Sequence, residues 1–212
     1  LSVPHVHSLG NLTPGKHKVT ICIDNTYKIP IGTWAHGITA DTQTNWNGII
    51  GRIELNAVSP LRIQNAQVHP DRIEVFTTNE TGKAQVATIF GQEFNIPEGK
   101  ARFKVPFKVE GPEWDEFDRN LQTVDIVLEN KDYKDTYTAV YANRVIRIQD
   151  KQVLVNDNPI LLRGTVDECI YPLTGYPPMD KAGWERVFSI CKAHGFNYIR
   201  YHSWCPPKAA FE

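Results

Sequence analysis

Apolar and polar residues alternate in short segments along most of this chain. After Ser59 and Pro60, six apolar-rich segments of strand length are separated by turn signals such as residues 79–82 and Gly111-Pro112. Short strands at such regular spacing are typical of an antiparallel β-sandwich of immunoglobulin type. The six predicted strands are residues 62–68, 72–77, 84–90, 102–109, 123–128 and 136–148.

Two further strands are predicted ahead of this sandwich. Residues 16–24 alternate in polarity, with Val19, Ile21 and Ile23 on one side, and residues 48–55 form a second apolar-rich run. We therefore expect the N-terminal part to be β-structured as well.

The pattern changes near the end of the chain. Residues 159–163 form a short apolar run ending at Gly164, which suits a strand buried on both faces. Asp180 can cap a following helix and Gly195 can end it, after which residues 196–201 supply another strand. The apolar residues of this helix fall at i, i+3, i+4 and i+7: Trp184, Val187, Phe188 and Cys191.

A strand, a helix and a parallel strand form the first repeat of a (β/α)8 barrel, which needs about 250 residues. Only residues 149–212 are available for it, and the sequence opens at Leu1 without an initiator Met or signal peptide. We therefore expect a fragment of a longer protein. Uncovered apolar surface and strand edges predict self-association of the chain or disorder of its C-terminal part.

Composition narrows the function classes only slightly. The chain has 41% hydrophobic residues, 22% charged residues and a formal net charge of −1. This balance favours neither a nucleic-acid nor a membrane partner, and no cofactor is expected. The four cysteines are too dispersed for a disulfide scaffold, so we expect thiols.

Several motifs, in their order, resemble glycoside hydrolase family 2, which includes β-galactosidases and β-glucuronidases. The resemblance implies that residues 1–58 end a jelly-roll sugar-binding domain, that 59–148 form an immunoglobulin-like sandwich, and that 149–212 begin a (β/α)8 (TIM) barrel. The implied fold is mainly β with an incomplete α/β start. The motifs are DTQTNWNGIIGRIEL, WDEFDRNLQTVDIVL, YANRVIRI, NDNPILLRGT and NYIRYHSWCPP.

The resemblance also implies a chemistry. Such enzymes hydrolyse terminal glycosides with retention, using two glutamates about 5 Å apart as nucleophile and acid/base. The family places both on later barrel strands, downstream of Glu212, so no catalytic residue is assigned and the chain alone is expected to be inactive. Glu212 itself is interpreted as a surface residue. The implied substrate is an oligosaccharide or other glycoside, and a periplasmic or secreted bacterial location is favoured.

Polar residues follow both predicted barrel strands, at the edge where barrel active sites lie. Asp167 and Glu168 follow the first strand, and His202 and Trp204 follow the second. Trp204 suits the apolar face of a sugar, although rim packing is an equal alternative. Arg200 resembles the arginine that the family carries on this strand, where it would brace carboxylates through bidentate hydrogen bonds.

The chain departs from the family at positions that bear on the substrate. Better-known members have Ser-His-Tyr-Pro after the arginine, whereas this chain has Tyr201, His202, Ser203 and Trp204. Sugar specificity is therefore left open. Asp41 is the acid nearest the place where the family presents one to the pocket, and a solvated turn residue is its alternative interpretation.

Two alternatives remain open. The spacings Cys191/His194 and His202/Cys205 fit a zinc site, but Cys191 belongs to the apolar stripe and His194 suits the helix C-terminus, so no metal is expected. A stand-alone carbohydrate-binding or structural β-sandwich module is the alternative to a glycosidase. Such a module would have no use for a strand-helix-strand unit, which favours the enzyme.

Overall fold

The computed structural model describes residues 4–24, 26, 46 and 48–212, and within them the chain is mainly β. It has two compact units: Leu55–Leu161, and Leu1–Glu54 together with Leu162–Glu212. The strands are β1 (Leu61–Val68), β2 (Arg72–Asn79), β3 (Gln85–Ile89), β4 (Gln92–Ile96), β5 (Gly99–Pro106), β6 (Leu121–Glu129), β7 (Lys134–Ala142), β8 (Ile146–Gln149), β9 (Gln152–Val155), β10 (Asn158–Ile160), β11 (Gly164–Asp167) and β12 (Tyr198–Tyr201); helix α1 is Lys181–Ala193 and a short 3-10 helix is Lys208–Ala210.

The first of these units, Leu55–Leu161, contains a sandwich of two antiparallel sheets, with strand orders β1-β2-β5 and β4-β3-β6-β7. Three strands facing four is the arrangement of immunoglobulin-like sandwiches, so the predicted fold class is confirmed. Alternate residues of each strand point into the space between the sheets. The largest apolar side chains buried there are Leu61, Ile73, Val75, Ile89, Ile96, Val105, Ile126 and Leu128.

Tight turns account for the strands that the polarity pattern missed. Phe90 and Gly91 have φ of 49° and 78°, and this pair joins β3 to β4. Two positive φ angles in succession define the hairpin turn that matches the twist of the flanking strands. The same signature occurs at Asp150-Lys151 and Asn156-Asp157, which fold β8, β9 and β10 into a small antiparallel sheet. The predicted strand 136–148 is therefore two strands, β7 and β8.

The predicted barrel strand at 159–163 is wrong. Asn158–Ile160 is an antiparallel edge strand instead, a position that tolerates the missing N–H of Pro159. Leu161 and Leu162 are 71% and 44% exposed, so the run is not buried on both faces. The compact unit that contains the sandwich extends to Leu161, and the domain boundary expected at residue 148 stays a prediction. The first parallel strand is β11, directly after this run.

The strands predicted at 16–24 and 48–55 are also absent. A strand is stabilised by hydrogen bonds to a neighbour, and none of the strands in the described part of the chain pairs with either segment. Val19 and Ile53 consequently remain 61% and 70% exposed. The assignment of residues 1–58 to a jelly-roll domain stays a prediction.

One core position of the sandwich carries a hydroxyl without a partner. Thr77 is 1% exposed, and its Oγ1 makes no hydrogen bond within the described residues. Replacing a buried, unsatisfied polar group with an apolar group of the same shape removes a desolvation cost. We expect Thr77→Val to raise the free energy of unfolding by about 1 kcal/mol, measured by urea denaturation.

The neighbouring residue supplies the control. Thr78 is 4% exposed, but its Oγ1 donates to Oε1 of Gln64 at 2.8 Å. Thr78→Val makes the same chemical change and should lower the free energy of unfolding by about 1 kcal/mol. Equal effects of the two substitutions would contradict the assignment of an unsatisfied hydroxyl to Thr77.

Candidate functional site

The C-terminal segment forms a parallel strand pair joined by a helix. β11 and β12 pair in parallel, with Gly164 opposite Tyr198 and Asp167 opposite Tyr201. At Gly164 the two strands approach so closely that an added Cβ would overlap the carbonyl oxygen of Tyr198 and lie 2.7 Å from its ring Cδ1. This register therefore requires a residue without a side chain at position 164.

Helix α1 begins and ends where the sequence predicts. The Asp180 side chain accepts a hydrogen bond from the Gly183 N–H at 2.7 Å, which satisfies one of the free donors of the first turn. Trp184 is 1% exposed, and its indole N–H donates to the carbonyl of Pro178 at 2.8 Å. Gly195, with φ of 76°, follows the C-cap residue and ends the helix.

An aromatic cluster packs the helix on the strand pair. It consists of Tyr171, Trp184, Phe188, Tyr201 and Trp204. The Trp184 ring centroid lies 5.5 Å from Phe188, 6.0 Å from Tyr201 and 6.4 Å from the nearly parallel ring of Trp204. Tyr171 meets Trp204 edge-on at 6.3 Å. The apolar stripe predicted for α1 is thus anchored by Trp184, whose burial is nearly complete.

Asp167, the last residue of β11, accepts four hydrogen bonds from the loops that follow β11 and β12. Its Oδ1 accepts from the Cys169 N–H at 2.8 Å, and its Oδ2 accepts from the Tyr171 hydroxyl at 2.7 Å. Its backbone carbonyl accepts from the His202 N–H at 2.8 Å and from the Trp204 indole N–H at 3.0 Å. The residue therefore contacts the loops that follow both strands.

The hydroxyl and thiol groups beside Asp167 are held neutral. Burial raises the pKa of Cys169 to about 12, and the negative charge of Asp167 adds to this effect. Burial also raises the pKa of Tyr171 well above its usual range, with a further contribution from its hydrogen bond to Asp167. Burial raises the pKa of Tyr201 to about 12. None of the three is suited to act as a nucleophile or base at neutral pH.

The five predicted pocket residues fall into two groups. Asp167, His202 and Trp204 are joined by hydrogen bonds, and the half-buried Trp204 already uses its N–H within the protein. Glu168 and Arg200 are exposed. Contact of any of the five with a sugar stays a prediction, and Asp41 lies outside the described residues.

Arg200 lies on the face of the strand pair that points away from the helix. Successive strand residues point to opposite faces, and Tyr201 packs on Trp184 of α1. Arg200 is opposite Val166 in the parallel register. In a complete (β/α)8 barrel this face lines the interior. Among the described residues Arg200 has no ion pair, so its predicted role as a brace for carboxylates stays a prediction.

Glu212 belongs to a local ion pair. Its carboxylate lies 2.9 Å from Nζ of Lys208, one helical turn earlier. The hydrogen bond from Lys208 and its charge lower the pKa of the exposed Glu212 carboxyl. This position agrees with its interpretation as a surface residue.

The described part of the chain offers no cluster of three or more His, Cys, Asp or Glu side chains arranged for a metal ion. None of the helices in that part is both long and apolar enough to cross a membrane. Self-association of the chain stays a prediction.

Sequence reasoning missed Tyr171, Cys169 and Tyr201. Tyr171 lies in a long irregular loop where no periodicity indicates burial. Tyr201 was assigned to a strand, but its packing on Trp184 depends on the placement of the helix. The Asp-x-Cys-x-Tyr spacing gives no signal for a hydrogen-bonded turn until the loop conformation is known.

Comparison with known proteins identifies the fold. Neither a scan of protein-family models nor a search of curated proteins finds a match. Among solved structures, a glycosyl hydrolase family 2 member from Bacteroides cellulosilyticus DSM 14838 matches with a TM-score of 0.58 at 18% identity, over 71% of this chain and 25% of that one. This chain has the fold of part of a glycoside hydrolase family 2 protein.

Two other solved structures of the family agree. A β-galacturonidase from Eisenbergiella tayi bound to galacturonate gives a TM-score of 0.54 at 17% identity, over 73% of this chain and 30% of that one. β-Glucuronidase 2 from Bacteroides uniformis gives a TM-score of 0.54 at 19% identity, over 72% of this chain and 23% of that one. The chain thus spans less than a third of the length of these family 2 structures, and the likeness is one of fold.

Proposed function

We propose that this chain is the non-catalytic front part of a retaining exo-glycosidase of glycoside hydrolase family 2. The parent enzyme would remove terminal sugars from oligosaccharides or other glycosides, as β-galactosidases and β-glucuronidases do. The observation that carries this proposal is the structural match of 71% and 73% of this chain to two family 2 structures.

The strand-helix-strand unit also separates the two candidate functions. A stand-alone carbohydrate-binding or structural module would need only its sandwich. Here Trp184 is nearly fully buried, and Gly164 permits a close parallel pairing, so this part of the sequence is itself adapted to an α/β fold. Parallel pairing through a helix is the repeat from which barrels are built.

The described residues support a contribution to a pocket and not to the chemistry. Retaining hydrolysis needs a nucleophilic carboxylate and an acid/base carboxyl about 5 Å apart. The Asp167 carboxylate accepts two internal hydrogen bonds, and Glu212 is paired with Lys208. Glu168 and Arg200 are the exposed charged groups at or near the carboxyl ends of β11 and β12, and we assign them to the sugar-facing side.

The purified chain should show no turnover of aryl β-galactosides, β-glucuronides or β-galacturonides above the buffer rate. The reason is that both carboxylates of the reaction would come from other parts of the parent enzyme. The measurement is release of the chromogenic leaving group at high protein concentration. If the in-frame coding sequence beyond Glu212 supplies the nucleophile and acid/base glutamates on later barrel strands, expression of the extended chain should produce activity.

The double variant Glu168→Gln, Glu212→Gln is the control for an unexpected rate. Activity that co-purifies with the chain and disappears in this variant would show that the chain carries its own catalytic carboxylate, against the proposal. If the coding sequence stops at Glu212, the binding or structural module takes the place of the enzyme.

A further inference from the structure

The loops after β11 and β12 turn in the same unusual way. Cys169 lies two residues after the end of β11 and has φ of 60°, and Ser203 lies two residues after the end of β12 and has φ of 58°. Residues other than glycine rarely adopt this left-handed conformation. Each loop therefore needs specific contacts to keep its direction as it leaves the strand pair.

Asp167 supplies contacts of this kind to both loops. Its two carboxylate oxygens bind the Cys169 N–H and the Tyr171 hydroxyl, in the loop after β11. Its carbonyl binds the His202 N–H and the Trp204 indole, in the loop after β12. A single residue at the end of a strand is thus the shared acceptor of both loops.

We propose that Asp167 is a positioning residue that fixes these two loops to each other, and thereby sets where Glu168 and His202 stand at the carboxyl edge of the strands. The consequence for sugar recognition rests on the proposed function. The fixing of the loops does not, since it concerns hydrogen bonds within the chain. Asp167 is then a support for the pocket and not one of its sugar-contacting residues.

The surroundings of Asp167 agree with this role. Its carboxylate partners are a buried backbone segment at Cys169, which is 1% exposed, and the half-buried Tyr171. Burial and the hydrogen bond to Asp167 raise the pKa of Tyr171, so its hydroxyl remains a donor over the whole neutral range. A hydrogen bond to a charged acceptor is stronger than one between neutral groups.

The test is the amide and indole hydrogen exchange of the whole chain carrying Asp167→Asn, followed by NMR. Asparagine keeps the shape, one side-chain acceptor and the backbone carbonyl, but it removes the charge and the acceptor for the Tyr171 hydroxyl. Because the Tyr171 ring packs edge-on against Trp204 at 6.3 Å, loss of this hydroxyl bond should also loosen the loop after β12. We expect exchange at the Cys169 N–H, the His202 N–H and the Trp204 indole N–H to accelerate at least about tenfold. Exchange within α1 should change less than about twofold, which separates loop positioning from general loss of structure.

Two further variants keep the test decisive. Tyr171→Phe removes a single hydroxyl and replaces Asp167→Asn in the test if that variant fails to fold. It should accelerate exchange at the same three sites. Asp125→Asn is the matched control, because Asp125 accepts from the Thr138 hydroxyl at 2.6 Å on the sandwich, and it should leave both loops unchanged.

Acceleration confined to the Cys169 N–H, with His202 and Trp204 unaffected, would overturn the proposal and leave Asp167 as a local turn former. No sugar is present in this experiment. A negative result therefore leaves the glycosidase proposal standing, and failure of the glycosidase assay leaves the loop result standing.

Discussion

Trp184→Ala is expected to lower the free energy of unfolding of the strand-helix-strand unit by about 3–5 kcal/mol. Trp184 is 1% exposed and contacts Phe188, Tyr201 and Trp204, so its removal leaves a large cavity between helix and strands. The hydrogen bond of its indole to the Pro178 carbonyl is lost as well. A helix of 13 residues is marginal without tertiary packing, so α1 should lose its structure.

Hydrogen exchange of the α1 amides measures this effect directly, with the core amides of β2 and β6 as an internal reference. Trp184→Phe retains an aromatic ring without the indole N–H and should recover part of the protection. Trp114→Ala is the control, because Trp114 is half-buried and its ring is covered by the Arg144 guanidinium at 4.4 Å. It should cost about 1 kcal/mol. Undiminished protection of α1 in Trp184→Ala would show that the aromatic cluster does not hold the helix.

The sequence pattern predicted the elements that carry their own signals: a helix with caps and an apolar stripe, and strands with alternating apolar and polar residues. The helix has a capping aspartate, an apolar stripe and a terminating glycine within its own sequence, and all three act as predicted. Except for β4, the strands of the sandwich alternate clearly enough to be found. Alternation also occurs at 16–24, but a strand there would need a partner that the pattern cannot supply.

Strand pairing and loop contacts were beyond the sequence pattern. The apolar run at 159–163 is compatible with a buried parallel strand, yet the Asn156-Asp157 turn returns the chain as an antiparallel edge. Asp167 was predicted to lie at the pocket because it follows a strand, and that location depends only on topology. The hydrogen bonds from the Cys169 N–H and the Tyr171 hydroxyl to its carboxylate depend on the left-handed backbone conformation of Cys169, which residues other than glycine rarely adopt.

Asn79 is the most completely buried polar side chain of the sandwich, with 0% exposure at the end of β2. Its Nδ2 donates towards the carbonyls of Lys83, Ile96 and Pro97 at 2.9, 3.1 and 3.2 Å. Its Oδ1 accepts from the N–H and the hydroxyl of Thr81 at 3.0 and 2.7 Å. One amide thus joins the β2 end to the turn before β3 and to the β4–β5 turn.

Asn79→Asp should lower the free energy of unfolding of the sandwich by at least about 3 kcal/mol at neutral pH, because a buried carboxylate would face three carbonyl oxygens without a donor. The hydrogen bonds from Thr81 to Oδ1 are preserved in this variant. The loss of stability therefore reports only the bonds that the Asn79 Nδ2 group donates. Burial raises the pKa of the introduced carboxyl in the folded state. The variant is therefore least destabilised below the ordinary Asp pKa of about 4, and the deficit grows as pH rises.

Urea denaturation of the Asn79→Asp variant and the unsubstituted chain at several pH values measures this deficit. Asn130→Asp is the matched control: Asn130 donates to the Val86 carbonyl at 3.2 Å and accepts from the Asp132 and Tyr133 N–H groups, but it is only half-buried. Water can solvate its carboxylate, so its loss should be about 1 kcal/mol and nearly independent of pH. Equal losses and equal pH dependence at the two positions would mean that the buried Asn79 amide does not hold the two turns.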